Sequence, residues 1–257
     1  MEKLAKEREV VGIYISGHPL DDYKFEMKYF CNAKLEALKS LEQHVNKNLS
    51  FGGIISNVQH KVAKNGKGWA SFVLEGYDES YEFRIYGEEY LKFRHFLISN
   101  NFTYIKVMVR EGWVNAEGKK GEPRLQFVTI QYLQDVLPSF AKKLIIQFNV
   151  AELQENLLES LQNLFAGNRG DHTIQFEVME LEKVRKQVEV ATDIPIIQEN
   201  TDGEDVEMIS VPEPVVTDVE DIKVITKLTM PSRKVKIKIS NELLQELEKL
   251  QMNFKLN

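Results

Sequence analysis

Cysteine is almost missing from this sequence. Among 257 residues only Cys31 carries a thiol, so an intrachain disulfide is impossible and no oxidising compartment is required. Long apolar runs are missing too. No stretch approaches the roughly 18 residues of a membrane span, and the opening Met1–Glu9 is charged throughout, with no apolar signal core. These absences lead us to expect a cytoplasmic protein with no membrane partner. His18 has no second His, Cys or acid at ligand spacing, and Asp21 and Asp22 read as exposed turn residues. No phosphate-binding glycine loop or nucleophile motif stands anywhere in the chain. The expectation is therefore no metal, no cofactor and no catalytic residue, with His18, Gly17 and Pro19 simply shaping a turn.

The chain is long enough for two modest domains, and its 43% hydrophobic and 28% charged residues are ordinary for a globular protein. Its net charge of -6 is unevenly placed. Eleven acids and no base lie between Glu189 and Ile222; setting them aside leaves 28 acids against 33 bases, a remainder of about +5. Nucleic acid is thus not excluded, because the charge that a phosphate meets is local and screened within about 8–10 Å.

Four regions separate on pattern. Residues 1–47 read as a helical leader broken at Gly17-His18-Pro19. Residues 48–135 turn to short strands rich in Val, Ile, Phe and Tyr, and residues 141–257, after a hinge at Pro138, alternate strands with amphipathic helices. Within that last region, residues 190–221 form an acidic insertion with Pro195, Pro212 and Pro214 and no aromatic side chain. Such a composition predicts a mobile, disordered segment, a solvated linker or a partner-binding stretch.

The second region predicts strands Leu49–His60, Trp69–Gly76, Tyr81–Gly87, Phe102–Val114 and Arg124–Leu133, with a helix over Glu88–Ser99 between the third and fourth. Asn65-Gly66 marks the first hairpin. Three strands, a helix and two strands is the order of the OB-fold, a closed or nearly closed five-stranded barrel. Period-two alternation turns Phe72, Leu74, Phe83 and Ile85 inward and Trp69, Arg84 and Tyr86 outward. The outer face of strands two and three is where this fold takes oligonucleotides. Lys61, Lys64 and Lys67 flank it on one side, with Lys119, Lys120 and Arg124 on the other. Aromatic faces for bases beside cations for phosphates are what single-stranded nucleic acid requires. The alternative at each position is blander: lysines for solubility and aromatics covering a barrel edge.

The run Glu7-Arg-Glu-Val-Val-Gly-Ile-Tyr-Ile-Ser-Gly-His-Pro-Leu20 resembles the stretch that leads into the OB domain of the bacterial replicative DNA polymerase III alpha subunit. Gly12, Tyr14, Ser16, Gly17, His18 and Pro19 match in order, and Gly68–Glu75 and Glu82–Tyr86 look like that family's OB strands. The acidic insertion is longer than the family leads one to expect. The resemblance implies single-stranded DNA as one partner and, for the terminal region, the tau subunit of the clamp loader as another. It also implies that the catalytic aspartates of the polymerase, its phosphoesterase-like metal domain and its internal clamp motif lie upstream of these residues. A stand-alone or anticodon-type OB nucleic-acid-binding module is the competing reading.

The terminal region predicts a βαββαβ-like order, a split-βαβ sandwich. Its elements are a strand Lys143–Phe148, a helix Asn149–Ala166, a strand His172–Leu181, a strand Lys234–Ile239, a helix capped by Ser240 and ending at Leu250, and a last strand Met252–Leu256. Leu153, Leu157, Leu161 and Leu164 make one apolar stripe, and Leu243, Leu247 and Leu250 another. Leu161-Gln-Asn-Leu-Phe165 resembles a sliding-clamp peptide, but it continues the amphipathic helix and reads better as core. The overall class expected is mostly β plus α+β.

Overall fold

The computed structural model describes residues 17–114, 118, 120–152, 155–197 and 208–256, with backbone alone over 181–197 and 208–225. The first third of the expected leader, residues 1–16, lies outside the described residues. The remainder is broken into short pieces: a 3-10 turn Pro19–Tyr23, helix α1 (Lys24–Phe30), and further 3-10 turns at Leu35–Lys39 and Leu41–His44. His18 opens the first turn. Its Nδ1 accepts the Leu20 N–H at 3.1 Å while Asp21 Oδ2 accepts the His18 N–H at 2.9 Å, a reciprocal cap that gives the imidazole a structural task.

Five strands follow: β1 (Asn48–Val62), β2 (Gly68–Glu75), β3 (Ser80–Tyr86), β4 (Phe102–Arg110) and β5 (Arg124–Tyr132), with helix α2 (Gly87–Phe93) between β3 and β4. They form one antiparallel sheet in the order β3-β2-β1-β4-β5. β1 is the spine. Its first half pairs with β4 as far as Ile54, and from Ile54 onward it pairs with β2. A bulge at Asn57, with φ +50°, bends it between Ser56 and Gln59.

This bend curls the sheet on itself. Phe83 of β3 and Phe127 of β5 come from opposite edges, yet their rings meet at 5.8 Å between centroids. Phe72, Leu74 and Ile85 are fully buried beside them, each worth about 1.5–3 kcal/mol of apolar burial. Of the closed or nearly closed barrel expected, full closure is not seen. β3 and β5 remain edges, and among the described residues no backbone pairing joins them. Between the edges lies a groove lined by Tyr81, Arg84 and Tyr86 from one and Arg124 and Leu125 from the other; rings bridge the interior where a ladder would need strands about 4.8 Å apart.

Helix α3 (Val136–Phe140) leads to the second unit: β6 (Lys143–Asn149), α4 (Glu155–Gly167), β7 (Arg169–Ile197), β8 (Met208–Ile237), α5 (Asn241–Lys249) and β9 (Asn253–Leu256). The sheet order is β8-β7-β6-β9, with β6 and β7 parallel. The expected βαββαβ order is present, but the first βαβ unit is not split, because β6 and β7 are direct neighbours. Seven residues, Lys143–Asn149, pair in register with Thr173–Met179, a run that leaves no room for an inserted strand. Leu144, Ile146 and Phe148 alternate onto the face that α4 and α5 cover, with Leu161, Phe165, Leu243 and Leu247 buried against them. Leu153, at the head of the α4 stripe, lies outside the described residues. Ser240 caps α5, its Oγ accepting the Leu243 N–H at 3.4 Å.

The middle of the acidic insertion, residues 198–207, lies outside the described residues. β7 pairs with β6 only as far as Met179, but its backbone pairing with β8 continues from Glu180↔Thr226 to Ile197↔Met208. Residues 190–197 and 208–221 of the expected insertion are thus paired along their backbone. Composition counts acids and prolines, whereas the recurrent Val, Ile and Thr of these stretches favour a paired extended backbone.

α1 belongs to both units. Met27 lies against Gly52 of β1, where a Cβ would sit 2.2 Å from its sulfur, so a larger residue there would push the Met27 side chain aside. From the same helix Phe25 enters the second core beside Phe254, and the Tyr29 hydroxyl donates to the Phe254 carbonyl at 3.1 Å. The leader is therefore the wedge between the two units.

Candidate nucleic-acid interface

The register of three strands makes a row of side chains. Lys61 of β1 lies opposite Trp69 of β2, and Trp69 opposite Tyr86 of β3. Ala70 and Ile85, one residue along, are buried, so the row faces outward. The Trp69 and Tyr86 rings stack at 5.5 Å with 20° between planes, and Lys61 Nζ sits 5.2 Å over the indole. Tyr86 is 55% exposed, so one face of this stack is open to a ligand.

Lys64 and Lys67 stand exposed on the hairpin beyond the row. The turn is built by Asn65, whose Oδ1 accepts the Lys67 N–H at 3.1 Å, and by Gly66 at φ +77°. Arg84 is two residues from Tyr86 on the same face, but its guanidinium already meets Glu82 at 3.3 Å.

On the far side of the groove, Arg124 lies 4.4 Å over the ring of Trp113, which is 75% exposed. Sequence reasoning missed Trp113 by ending strand four at Val114; β4 stops at Arg110, and Val114 makes only an isolated bridge to Lys120. The signal was there, a tryptophan set among glycines and lysines. Gly112 is what narrows this loop, since a Cβ there would lie 2.1 Å from the Gly121 carbonyl. Lys120 is engaged by Glu111 at 2.9 Å, and Lys119 lies outside the described residues.

Tyr86 and Arg124 both line the groove between the two edges, a space of about 820 Å³ that also carries Glu88 and Glu89. Burial pushes the Glu89 carboxyl up, opposed by a hydrogen bond from the Phe127 backbone and by the charges of Arg124 and Lys92. That contact ties α2 to β5. Lys61, Trp69 and Tyr86 lead to the groove from one side, and Arg124, set over Trp113, lines it on the other. Such an arrangement offers π-faces at two ends of a gap with cations beside each.

Among the described residues no group of His, Cys, Asp and Glu is arranged to hold a metal, and no helix is long and apolar enough to cross a membrane. Burial pushes the Cys31 thiol up to about 12, with Glu26 adding to the shift, so it stays protonated at neutral pH.

No family model matches the chain. Curated relatives do. A protein named DNA polymerase III subunit alpha from Borreliella burgdorferi is 28% identical over 190 residues, 70% of this chain. Its namesake from Pseudomonas aeruginosa is 23% identical over 176 residues, 68% of this chain, and that from Saccharopolyspora erythraea 30% over 111 residues, 43% of this chain. The chain resembles the alpha subunit of DNA polymerase III. It spans only 15%, 14% and 9% of the length of these three relatives, so the resemblance concerns a small part of a DNA polymerase III alpha subunit.

Proposed function

We propose that this chain binds single-stranded DNA as part of a replicative polymerase, through an OB-type open barrel, and that its terminal unit docks the tau subunit of the clamp loader. One observation carries the DNA reading: Tyr86, stacked on Trp69 beside Lys61, and Arg124, set over Trp113, line the same groove. Bases stack on the indoles and the phenol while phosphates run over Lys61, Lys64 and Lys67. Stacking is indifferent to base identity, which suits a protein that must accept any template. Polymerisation itself is assigned to the large remainder of the relatives that this chain does not span. The similarity to DNA polymerase III alpha subunits supports the tau assignment in general terms only; capture of purified tau by residues 141–257 tests it.

The DNA reading is tested by fluorescence anisotropy of labelled oligo-dT, oligo-dA and oligo-rU across a salt series. Comparable, salt-dependent affinity for the two DNA strands is expected, with DNA at least equal to RNA. A clear preference for RNA favours the anticodon-type module instead, and absence of binding to all three removes the assignment.

A further inference from the structure

The helices of the second unit leave part of the sheet's apolar face uncovered. Val178 and Phe176 of β7 stand opposite Leu228 and Met230 of β8, so the face continues to the sheet's edge, where Leu228 is 54% and Met230 42% exposed. There an open trough of about 780 Å³ runs between α4 and the segment Lys234–Lys236. Phe176, Val178 and Met230 line its floor, and Leu158, 51% exposed, and Val235, 42% exposed, line its sides. Its charged residues are Arg169, Lys234 and Lys236, all exposed; in a chain of net charge -6, no acid among the described residues lines it.

We propose that this trough seats an amphipathic helix of another protein, with an apolar stripe toward Phe176 and Met230 and carboxylates flanking the stripe. The layer over this sheet is already helical, since α4 and α5 bury Leu161, Phe165, Leu243 and Leu247 against it. A further helix, about 10 Å across with its side chains, would extend that layer over β8 by the same ridge-and-groove packing. The three cations select its charge: carboxylates beside the stripe meet Arg169, Lys234 and Lys236, whereas a basic helix is repelled. The inference is independent of DNA binding and of which protein supplies the helix.

The probe is a labelled designed helix with Leu at i, i+3, i+4 and i+7 and Glu beside the stripe, titrated with the full chain; a second peptide replaces each Glu by Lys. The acidic peptide should bind about tenfold or more tightly than the basic one. Leu158→Asp and Met230→Asp should each weaken it by about tenfold, and the double variant Lys234→Glu/Lys236→Glu should reverse the preference between peptides. Where aspartate lowers the melting temperature, Leu158→Ser and Met230→Ser repeat the measurement. Equal binding of the two peptides, or indifference to all these substitutions, overturns the proposal. So does a dimer of the chain that Leu158→Asp dissociates, because a second copy would then fill the trough.

Discussion

Trp69 and Tyr86 lie directly opposite one another on β2 and β3, and their rings stack 5.5 Å apart. The contact is a consequence of register. A slip of one residue between these strands would bring Ile85 opposite Trp69 and turn one ring into the core. Neither ring is needed to fill the barrel, since Phe72, Phe83 and Ile85 do that on the other face.

Removing one ring should therefore cost binding and leave the fold. Trp69→Ala or Tyr86→Ala is expected to weaken oligo-dT binding by about 1–3 kcal/mol with the salt slope nearly unchanged. Trp113→Ala should behave in the same way, since Arg124, which lies over its ring, lines the same groove as Tyr86. Anisotropy at several salt concentrations checks this. If Trp113→Ala binds as tightly as the parent chain, the strand does not cross the groove.

The lysines should act differently. Lys64→Ala/Lys67→Ala is expected to flatten the salt dependence by about 0.7 for each phosphate that is no longer neutralised. Lys120 is already held by Glu111, so Lys120→Ala should change the slope less than either hairpin lysine. An unchanged slope in the quadruple variant of Lys64, Lys67, Lys119 and Lys120 would show that the strand tracks elsewhere.

A pH dependence follows from Glu26. It is 1% exposed on α1, where its Oε1 accepts the Asn241 side-chain N–H at 3.0 Å. Its Oε2 and Asn241 Oδ1 are buried with no hydrogen-bond partner among the described residues. Burial raises the Glu26 pKa more than the hydrogen bonds from its own backbone and Asn241 lower it. A carboxyl raised in the folded state favours folding below the ordinary range near 4.3, and that contribution is lost as pH rises through the folded value. Glu26→Gln carries no charge and can donate to Asn241 Oδ1. It should stabilise the chain at pH 7 by about 1 kcal/mol, with the gain shrinking toward pH 4. Melting curves of the two proteins across this range decide it; a variant less stable at pH 7 would show that the ionised carboxylate is the favoured form.

Deleting residues 190–221 should leave both sheets intact. β7 gains support from β6 only over Thr173–Met179, and past Glu180 it pairs with β8 alone. The shortened chain would turn back through residues 184–189, because Lys183 pairs with Ile222. A melting temperature within about 3 °C of the parent is expected, equivalent to less than about 1 kcal/mol. A larger fall would mean that the ribbon packs on the body of the protein.

Much of this was legible in the residues alone, and the boundary follows a physical line. Alternation along a strand is local, so the inward placement of Phe72, Leu74, Phe83 and Ile85 and the outward placement of Trp69, Arg84 and Tyr86 follow from the sequence directly. Helix stripes and the Ser240 cap are local for the same reason. Which strands lie beside one another is decided by burial summed over distant residues. Only the tertiary structure aligns Lys61 with Trp69, brings Phe83 against Phe127 while β3 and β5 stay unpaired, and sets Arg124 over Trp113 across a loop that reads as polar. The leader shows the same division. Its helix is written in residues 24–30, but that Met27 meets the first unit and Phe25 the second depends on two cores formed by chain more than twenty residues away.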